Sequence, residues 1–161
     1  MALAEWEFSM GAFDQIIQSL KKFADFNGRA SRSEFWTFFF FVLIAQAIAR
    51  LFDVMLTGGS YLTGPVAMLT GLLLFVPQLS AAVRRLHDVN RSGRELMVPC
   101  FMLLASPLLI LFGSFLGRIV ALGYAAVTML LFGQLLLMLA RKGSIVPNRY
   151  GACPTAFWFG R

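Results

Sequence analysis

The sequence has little charge and few of the side chains that bind metals or carry out catalysis. Aspartate, glutamate, lysine and arginine make up 14% of its 161 residues, and it contains one histidine and two cysteines. A structural zinc site needs four clustered ligands, so the sequence excludes one built from this chain alone, and it indicates no cofactor. Cys100 and Cys153 are far apart, and we assign both below to the reducing, cytoplasmic side of a membrane, so we expect free thiols.

Most of the sequence consists of long uncharged, apolar segments. The chain is 58% hydrophobic with a mean hydropathy of +0.73, which is far more apolar than an ordinary soluble domain. A helix needs roughly 20 apolar residues to cross the hydrocarbon layer of a bilayer. The sequence therefore predicts an all-α polytopic membrane protein, a four-helix bundle that forms a single membrane domain over residues 1–161. Its transmembrane helices are expected at about 35–56, 65–83, 96–116 and 119–140.

The distribution of lysine and arginine predicts the orientation of these spans. Short cytoplasmic loops of membrane proteins carry an excess of basic residues. In the four-span topology only Arg50 and Arg118 fall toward the outer side. The other basic residues share one side: Lys21, Lys22, Arg29, Arg32, Arg84, Arg85, Arg91, Arg94, Arg141, Lys142, Arg149 and Arg161. We therefore expect a multi-pass inner-membrane protein with both termini in the cytoplasm, including a tail at 141–161.

Residues 5–23 predict an amphipathic helix before the first span. Its apolar residues recur at intervals of four and three: Trp6, Met10, Phe13, Ile17 and Leu20. Two placements are open, one in the headgroup region with the apolar face inward and one across the cytoplasmic ends of the spans, and both keep the helix parallel to the membrane. Glu5 and Glu7 stand where a secretory signal carries basic residues, so we expect no cleaved signal peptide.

Short-range spacing predicts several local contacts. Ser31 followed by Glu34 forms a capping box, which would begin the first membrane helix at Arg32. Pro77 is expected to kink or break the second span, because a proline removes an amide donor and clashes with the preceding turn. Helical spacing also predicts two ion pairs, Arg50 with Asp53 near the outer interface and Arg84 with Asp88 where the second span emerges.

Three polar segments on the predicted cytoplasmic side carry a family resemblance. They are FADFNGRASRSEFW at 23–36, RRLHDVNRSG at 84–93 and NRYGACP at 148–154. In this order they resemble the DUF805 family of small bacterial inner-membrane proteins, whose segments look like DFxGRxxRxEFW, RRLHDxxxSG and NxYGxxP. The sequence departs from that pattern at Arg94, where the family usually has an aromatic residue. The resemblance implies the fold and the location, and it supplies no catalytic residue because the family has no established function.

The motif residues define one candidate site. We expect a cytoplasmic interaction or ion-pair cluster made of Asp25, Arg29, Arg32, Glu34, Arg84, Arg85, His87, Asp88, Asn148, Arg149 and Tyr150. His87 beside Asp88 is the one pairing typical of a reactive site, but adjacent residues of a helix point in different directions. The sequence also has no second histidine. We therefore expect no enzymatic activity, and no catalytic or metal-binding residue.

Two non-catalytic function classes are consistent with this composition. The first is an accessory subunit, assembly factor or scaffold that binds other membrane proteins, a second copy of itself or anionic lipid through a basic cytoplasmic face. The alternative is a component of a small-solute or ion transporter or channel, although the spans contain only scattered polar residues such as Gln46, Gln78 and Gln134. Basic charge divided among short loops does not favour nucleic acid as a partner.

Overall fold

Helices joined by loops make up the described part of the chain. The computed structural model describes residues 2–59, 64–105 and 115–151. In order, these ranges contain α1 (Ala2–Lys21), α2 (Arg32–Thr57), α3 (Pro65–Asp88), a 3-10 turn (Gly93–Leu96), α4 (Met97–Ala105) and α5 (Phe115–Ala140). Within these ranges no β-strand is formed, which confirms the all-α class.

Among the described residues, three helices are long and apolar enough to cross a membrane. They are α2, α3 and the Ile119–Ala140 part of α5, which correspond to the first, second and fourth predicted spans. Their outward surfaces carry large apolar side chains such as Met55, Leu73 and Met129. An apolar surface of this extent is suited to lipid and would favour aggregation in water.

The third predicted span, 96–116, is only partly described. Its first residues form the 3-10 turn and α4, which is described as far as Ala105. Residues 106–114 lie outside the described residues, and α5 begins at Phe115. The number of membrane crossings therefore stays a prediction.

The start of α2 follows the predicted capping signal. The Ser31 hydroxyl accepts a hydrogen bond of 3.1 Å from the Glu34 amide, and the helix begins at Arg32 as expected. Only half of the capping box forms, because the Glu34 carboxylate binds an arginine of α3 instead of reaching back to the Ser31 amide. The helix ends at Thr57, and the next residue, Gly58, has a φ of 62°, the left-handed conformation typical of a helix C-terminus.

Helix α3 is continuous through Pro77. The proline is buried, and the helix continues to Asp88, beyond the span end predicted at residue 83. The predicted break at Pro77 is therefore wrong, and a kink there stays a prediction. The Ser80 hydroxyl donates to the Pro77 carbonyl at 3.2 Å and to the Lys22 carbonyl after α1 at 2.9 Å. This second bond attaches the end of α1 to the side of α3.

Asp53 joins the end of α2 to the beginning of α3. Its buried carboxylate accepts hydrogen bonds from the backbone amides of Val66 (2.9 Å) and Ala67 (2.8 Å), in the first turn of α3. These amides have no partner within the helix, and a negative charge is favourable at a helix N-terminus. A side chain at Gly64 would overlap the carboxylate. Asp53 is thus a helix cap, and its predicted ion pair with Arg50 stays a prediction.

The hydrophobic core lies where α2, α3, α5 and the 3-10 turn meet. Its buried members are Phe35, Phe38, Ala81, Ala82, Leu86, Leu96, Leu135 and Leu139. Small alanines on α3 face phenylalanines on α2, which lets these two helices pack closely. Cys100 packs against this core as a free thiol, as predicted, whereas Cys153 lies outside the described residues.

Helix α1 packs on α2 and α3 with part of its predicted apolar line facing outward. Ser19 is fully buried, and Ile16 packs against the core. Phe13 and Leu20, which belong to the predicted apolar line, are exposed. The helix is therefore fastened to the bundle by one face and presents an apolar face to its surroundings.

Candidate functional site

Three helix termini meet at one end of the bundle, which we call the basic end. There Arg84 of α3 donates to Glu34 in the first turn of α2, with 2.8 Å between Nη1 and Oε1. The neighbouring Arg85 donates through Nε to the Leu139 carbonyl at 2.9 Å and through Nη2 to the Arg141 carbonyl, at the end of α5. The start of α2 and the ends of α3 and α5 are thus held together by two arginines.

Asp88 lies at the centre of this end and binds two guanidinium groups. Its Oδ1 accepts from Arg29 Nε at 2.9 Å and Nη2 at 2.8 Å, and its Oδ2 accepts from Arg85 Nη1. The predicted pair of Arg84 with Asp88 is wrong. Arg84 points to α2 and pairs with Glu34, whereas Arg85, one residue further around the helix, points to Asp88 and α5.

These ion pairs are withdrawn from solvent. We call the five residues Arg29, Glu34, Arg84, Arg85 and Asp88 the buried arginine cluster. Arg84 is 1% exposed, Arg85 0% and Asp88 4%. Three guanidinium groups and two carboxylates leave this cluster with one excess positive charge. Buried charges are tolerated when they are paired and hydrogen-bonded, so the carboxylates are committed to the fold.

The cluster also binds the segment after α5. Arg29 donates through Nη1 to the carbonyls of Val146 (3.1 Å) and Gly151 (3.3 Å) and through Nη2 to that of Ser144. The Ser144 amide in turn donates to the Asp88 backbone carbonyl at 2.9 Å. A methyl group at Gly143 would overlap the Asp88 carboxylate, so only glycine permits this close approach.

His87 connects the three motif segments. Its Nδ1 lies 3.1 Å from the Gly28 carbonyl, and its ring stacks on Tyr150 with 3.8 Å between centroids and 5° between planes. Asn148 donates through Nδ2 to the His87 backbone carbonyl at 2.9 Å and accepts at Oδ1 from the Tyr150 amide. The Arg149 guanidinium lies 4.7 Å from the centre of the Tyr150 ring. The three separated segments therefore form one contact network.

Two of the predicted site residues lie outside this network. Asp25 is exposed and accepts from the Asn27 amide at 3.0 Å, which is a local turn contact. Arg32 is exposed at the first position of α2. Sequence reasoning missed Gly143 and Ser144, which contact Asp88, because no local pattern marks a residue whose partner lies on a distant helix.

The described contacts of Asp88 and His87 are structural ones. Asp88 is bound by two arginines and His87 lies against the Gly28 carbonyl, and no described hydrogen bond joins the imidazole to the carboxylate. Among the residues that the structure covers, no group of three or more His, Cys, Asp and Glu residues could hold a metal ion. The cluster joins four chain segments, namely the loop before α2, the start of α2, the end of α3 and the chain at and after the end of α5.

The three motif segments agree with a known family. The family model described as "Protein of unknown function (DUF805)" matches residues 23–152, which includes the whole buried arginine cluster. The chain belongs to the DUF805 family. The family match begins after the end of α1 and takes in the other four helices. Together with the inner-membrane relatives described next, its long apolar helices make the chain a membrane protein.

Two curated relatives come from Escherichia coli K12. The chain is 33% identical to "Inner membrane protein YhaI" over 135 residues, covering 84% of this chain and 90% of the relative. It is 36% identical to "Inner membrane protein YhaH" over 84 residues, covering 50% of this chain and 67% of the relative. No solved structure matches this member of the DUF805 family.

Proposed function

We propose that this DUF805 protein is a non-catalytic inner-membrane accessory subunit or scaffold, which binds anionic lipid or acidic membrane proteins through its basic end. The proposed protein crosses the membrane four times with the basic end in the cytoplasm. The observation that carries the proposal is a separation of charge. Glu34 and Asp88, the two acidic residues of the buried arginine cluster, form ion pairs inside the protein. Most of the exposed charged side chains nearby are positive.

The exposed charges at this end support an anionic partner. The exposed basic residues are Lys21, Arg32, Arg91, Arg94, Arg141, Lys142 and Arg149. On the same side, Glu95 is partly buried and lies 3.5 Å from Arg91, and Asp14 and Asp25 are exposed. Each lysine or arginine near an anionic membrane surface contributes about 1 kcal/mol of attraction. Several of them together favour a stable association with anionic headgroups.

The position of α4 supports four crossings. Leu96, directly before α4, belongs to the same core cluster as Leu86, which lies near the end of α3. The last turn of α5 returns to the same end, where the Leu139 carbonyl accepts from Arg85. Residues 96 and 139 thus both lie at the basic end of the bundle. This supports one span that leads away from the basic end and a second that returns to it.

The proposal is tested by what the protein retains on gentle extraction. Native mass spectrometry of the full chain in mild detergent is expected to find a stoichiometric membrane-protein partner or retained phosphatidylglycerol or cardiolipin. The double substitution Arg141→Gln/Lys142→Gln should reduce that retention, whereas Arg50→Gln, which removes a charge toward the other end of α2, should not. A lipid-free and partner-free monomer would contradict the proposal.

The transport alternative has less support at Gln46, one of the scattered polar residues of the spans. With its amide oriented to match its surroundings, Gln46 donates to the Ala67 carbonyl at 3.2 Å and accepts from the Gly71 amide at 3.1 Å. This side chain thus binds the backbone of α3, as polar residues between membrane helices commonly do. Solute flux into reconstituted vesicles that Gln46→Leu or Gln134→Leu abolishes would favour transport over the scaffold function.

A further inference from the structure

One face of α5 carries a regular series of exposed residues. They follow each other at alternating intervals of three and four: Val120, Gly123, Val127, Leu130, Gln134 and Leu137. We call this series the α5 seam. Alternating intervals of three and four are the spacing by which two helices pack along a left-handed supercoil. All six residues are exposed in the single chain, so no other element of the described fold covers the seam.

The other side of α5 makes the contacts within the chain. Tyr124 donates through its hydroxyl to the Met102 carbonyl of α4 at 2.6 Å. Thr128, Leu135 and Leu139 are buried against α4 and the core. The bundle therefore uses one side of α5, and the seam lies on another.

Gln134 is the residue of the seam that lipid accommodates least well. Its side chain is exposed, and its amide makes no hydrogen bond among the described contacts. It lies six residues before Ala140, which is about 9 Å along the helix from the end of the apolar stretch. Side chains on a helix lean toward its N-terminus, so Gln134 leans away from that end and toward the middle of the span. An amide left without partners in hydrocarbon costs several kcal/mol.

We propose that the α5 seam binds the same seam of a second copy of this chain, with the two Gln134 amides hydrogen-bonded to each other. Two copies inserted in the same direction are related by a two-fold axis along the membrane normal, which places each residue at the depth of its own counterpart. A primary amide contains both a donor and an acceptor, so it is complementary to itself. A single polar residue in such a seam also fixes the register and the number of helices.

Gly123 provides space for the approach of the second helix. A Cβ atom built on Gly123 meets no atom within 4 Å, so its surface is open. Small residues at such positions let the backbones of membrane helices come close together.

The inference rests on the proposed function in one respect, because it requires α5 to span the membrane.

Crosslinking in native membranes tests the contact directly. In the full chain with Cys100→Ser and Cys153→Ser, the substitution Leu130→Cys should give a disulfide-linked dimer on oxidation. The matched control is Met129→Cys, because Met129 is 79% exposed and lies at nearly the same depth on a different face. We expect the dimer at position 130 and only background at position 129. Equal crosslinking at both positions, no dimer at position 130, or an adduct of another mass would overturn the proposal.

The same variant separates this inference from the proposed topology. A water-soluble maleimide should fail to label the thiol of Leu130→Cys in intact membranes if α5 spans the bilayer. Labelling would contradict the membrane-spanning topology. Protection without crosslinking would contradict only the second-copy contact.

The role of the amide is tested by substitution at Gln134. In vesicles of phosphatidylethanolamine and phosphatidylglycerol, Gln134→Leu should raise the dissociation constant of the dimer by about 3- to 30-fold, the range measured for hydrogen bonds between membrane helices. Gln134→Asn retains a self-complementary amide and should change the constant less. Single-molecule photobleaching at several protein-to-lipid ratios measures both. An unchanged or tighter dimer in Gln134→Leu would show that the two amides do not pair.

Discussion

Arg29 and Asp88 are 59 positions apart in the sequence, yet two N–H groups of the Arg29 guanidinium converge on Oδ1 of Asp88, at 2.9 and 2.8 Å. The same carboxylate binds Arg85 through its other oxygen. A loop before α2, the end of α3 and the segment after α5 therefore share one charged centre. This centre explains why the separated motif segments belong together, since each supplies part of one clamp.

Removal of the Asp88 charge should be strongly destabilising. Asp88→Asn leaves two buried guanidinium groups without their counter-ion, and loss of one partner from a buried ion pair costs about 3 to 5 kcal/mol. Thermal unfolding of the full chain in detergent micelles measures the effect. Asp25→Asn is the control, because Asp25 is exposed and its loss should change stability by less than about 0.5 kcal/mol. Similar melting temperatures for the two variants would show that the cluster does not stabilise the fold.

The close approach of Gly143 to the Asp88 carboxylate gives a second prediction. Gly143→Ala places a methyl group on the Asp88 carboxylate, so we expect destabilisation by about 1 to 3 kcal/mol from overpacking. Gly133→Ala is the matched change in a helix, where an added Cβ meets nothing within 4 Å and the higher helix propensity of alanine should be neutral or stabilising. The two variants should therefore differ in sign in the same thermal assay. If both are neutral, the segment after α5 does not pack on Asp88.

Sequence reasoning succeeded here where the deciding contact is local. The start of α2 at Arg32 follows from Ser31 and the amide three positions later, so spacing alone predicts it. The partner of Arg84 could not be found in this way. Helical spacing offers Asp88, but Glu34, fifty positions away, faces Arg84 once α2 packs on α3. The need for glycine at position 143 is likewise a property of the packed fold.

Asp53 provides a prediction at the end of α2. Asp53→Ala removes the acceptor for two amides in the first turn of α3 together with a favourable negative charge, so it should cost about 1 to 2 kcal/mol. Asp14→Ala removes an exposed carboxylate from α1 and serves as the control. Hydrogen exchange should locate the effect, with faster exchange at Val66 and Ala67 in Asp53→Ala. Unchanged protection of these two amides would contradict the capping role.

Tyr150 stacks on His87 and helps to attach the last described segment to the basic end. Substitutions of Tyr150 can distinguish the contribution of its ring from that of its hydroxyl. The Tyr150 hydroxyl makes no hydrogen bond among the described contacts, while its ring lies 3.8 Å from that of His87. Tyr150→Phe keeps the ring and should retain the attachment. Tyr150→Ala loses the stack, worth about 0.5 to 1.5 kcal/mol beyond the buried area, together with contact to Arg149, and should release the segment.

Hydrogen exchange of the Ser144 amide, which donates to the Asp88 carbonyl, reports that release. We expect Tyr150→Ala to increase its exchange rate by about 2- to 10-fold, corresponding to the stacking energy, if this segment opens locally. Tyr150→Phe should stay close to the parent chain. Equal exchange in all three proteins would mean that the bonds from Arg29 hold the segment without help from the ring, and faster exchange in Tyr150→Phe would assign the effect to the hydroxyl.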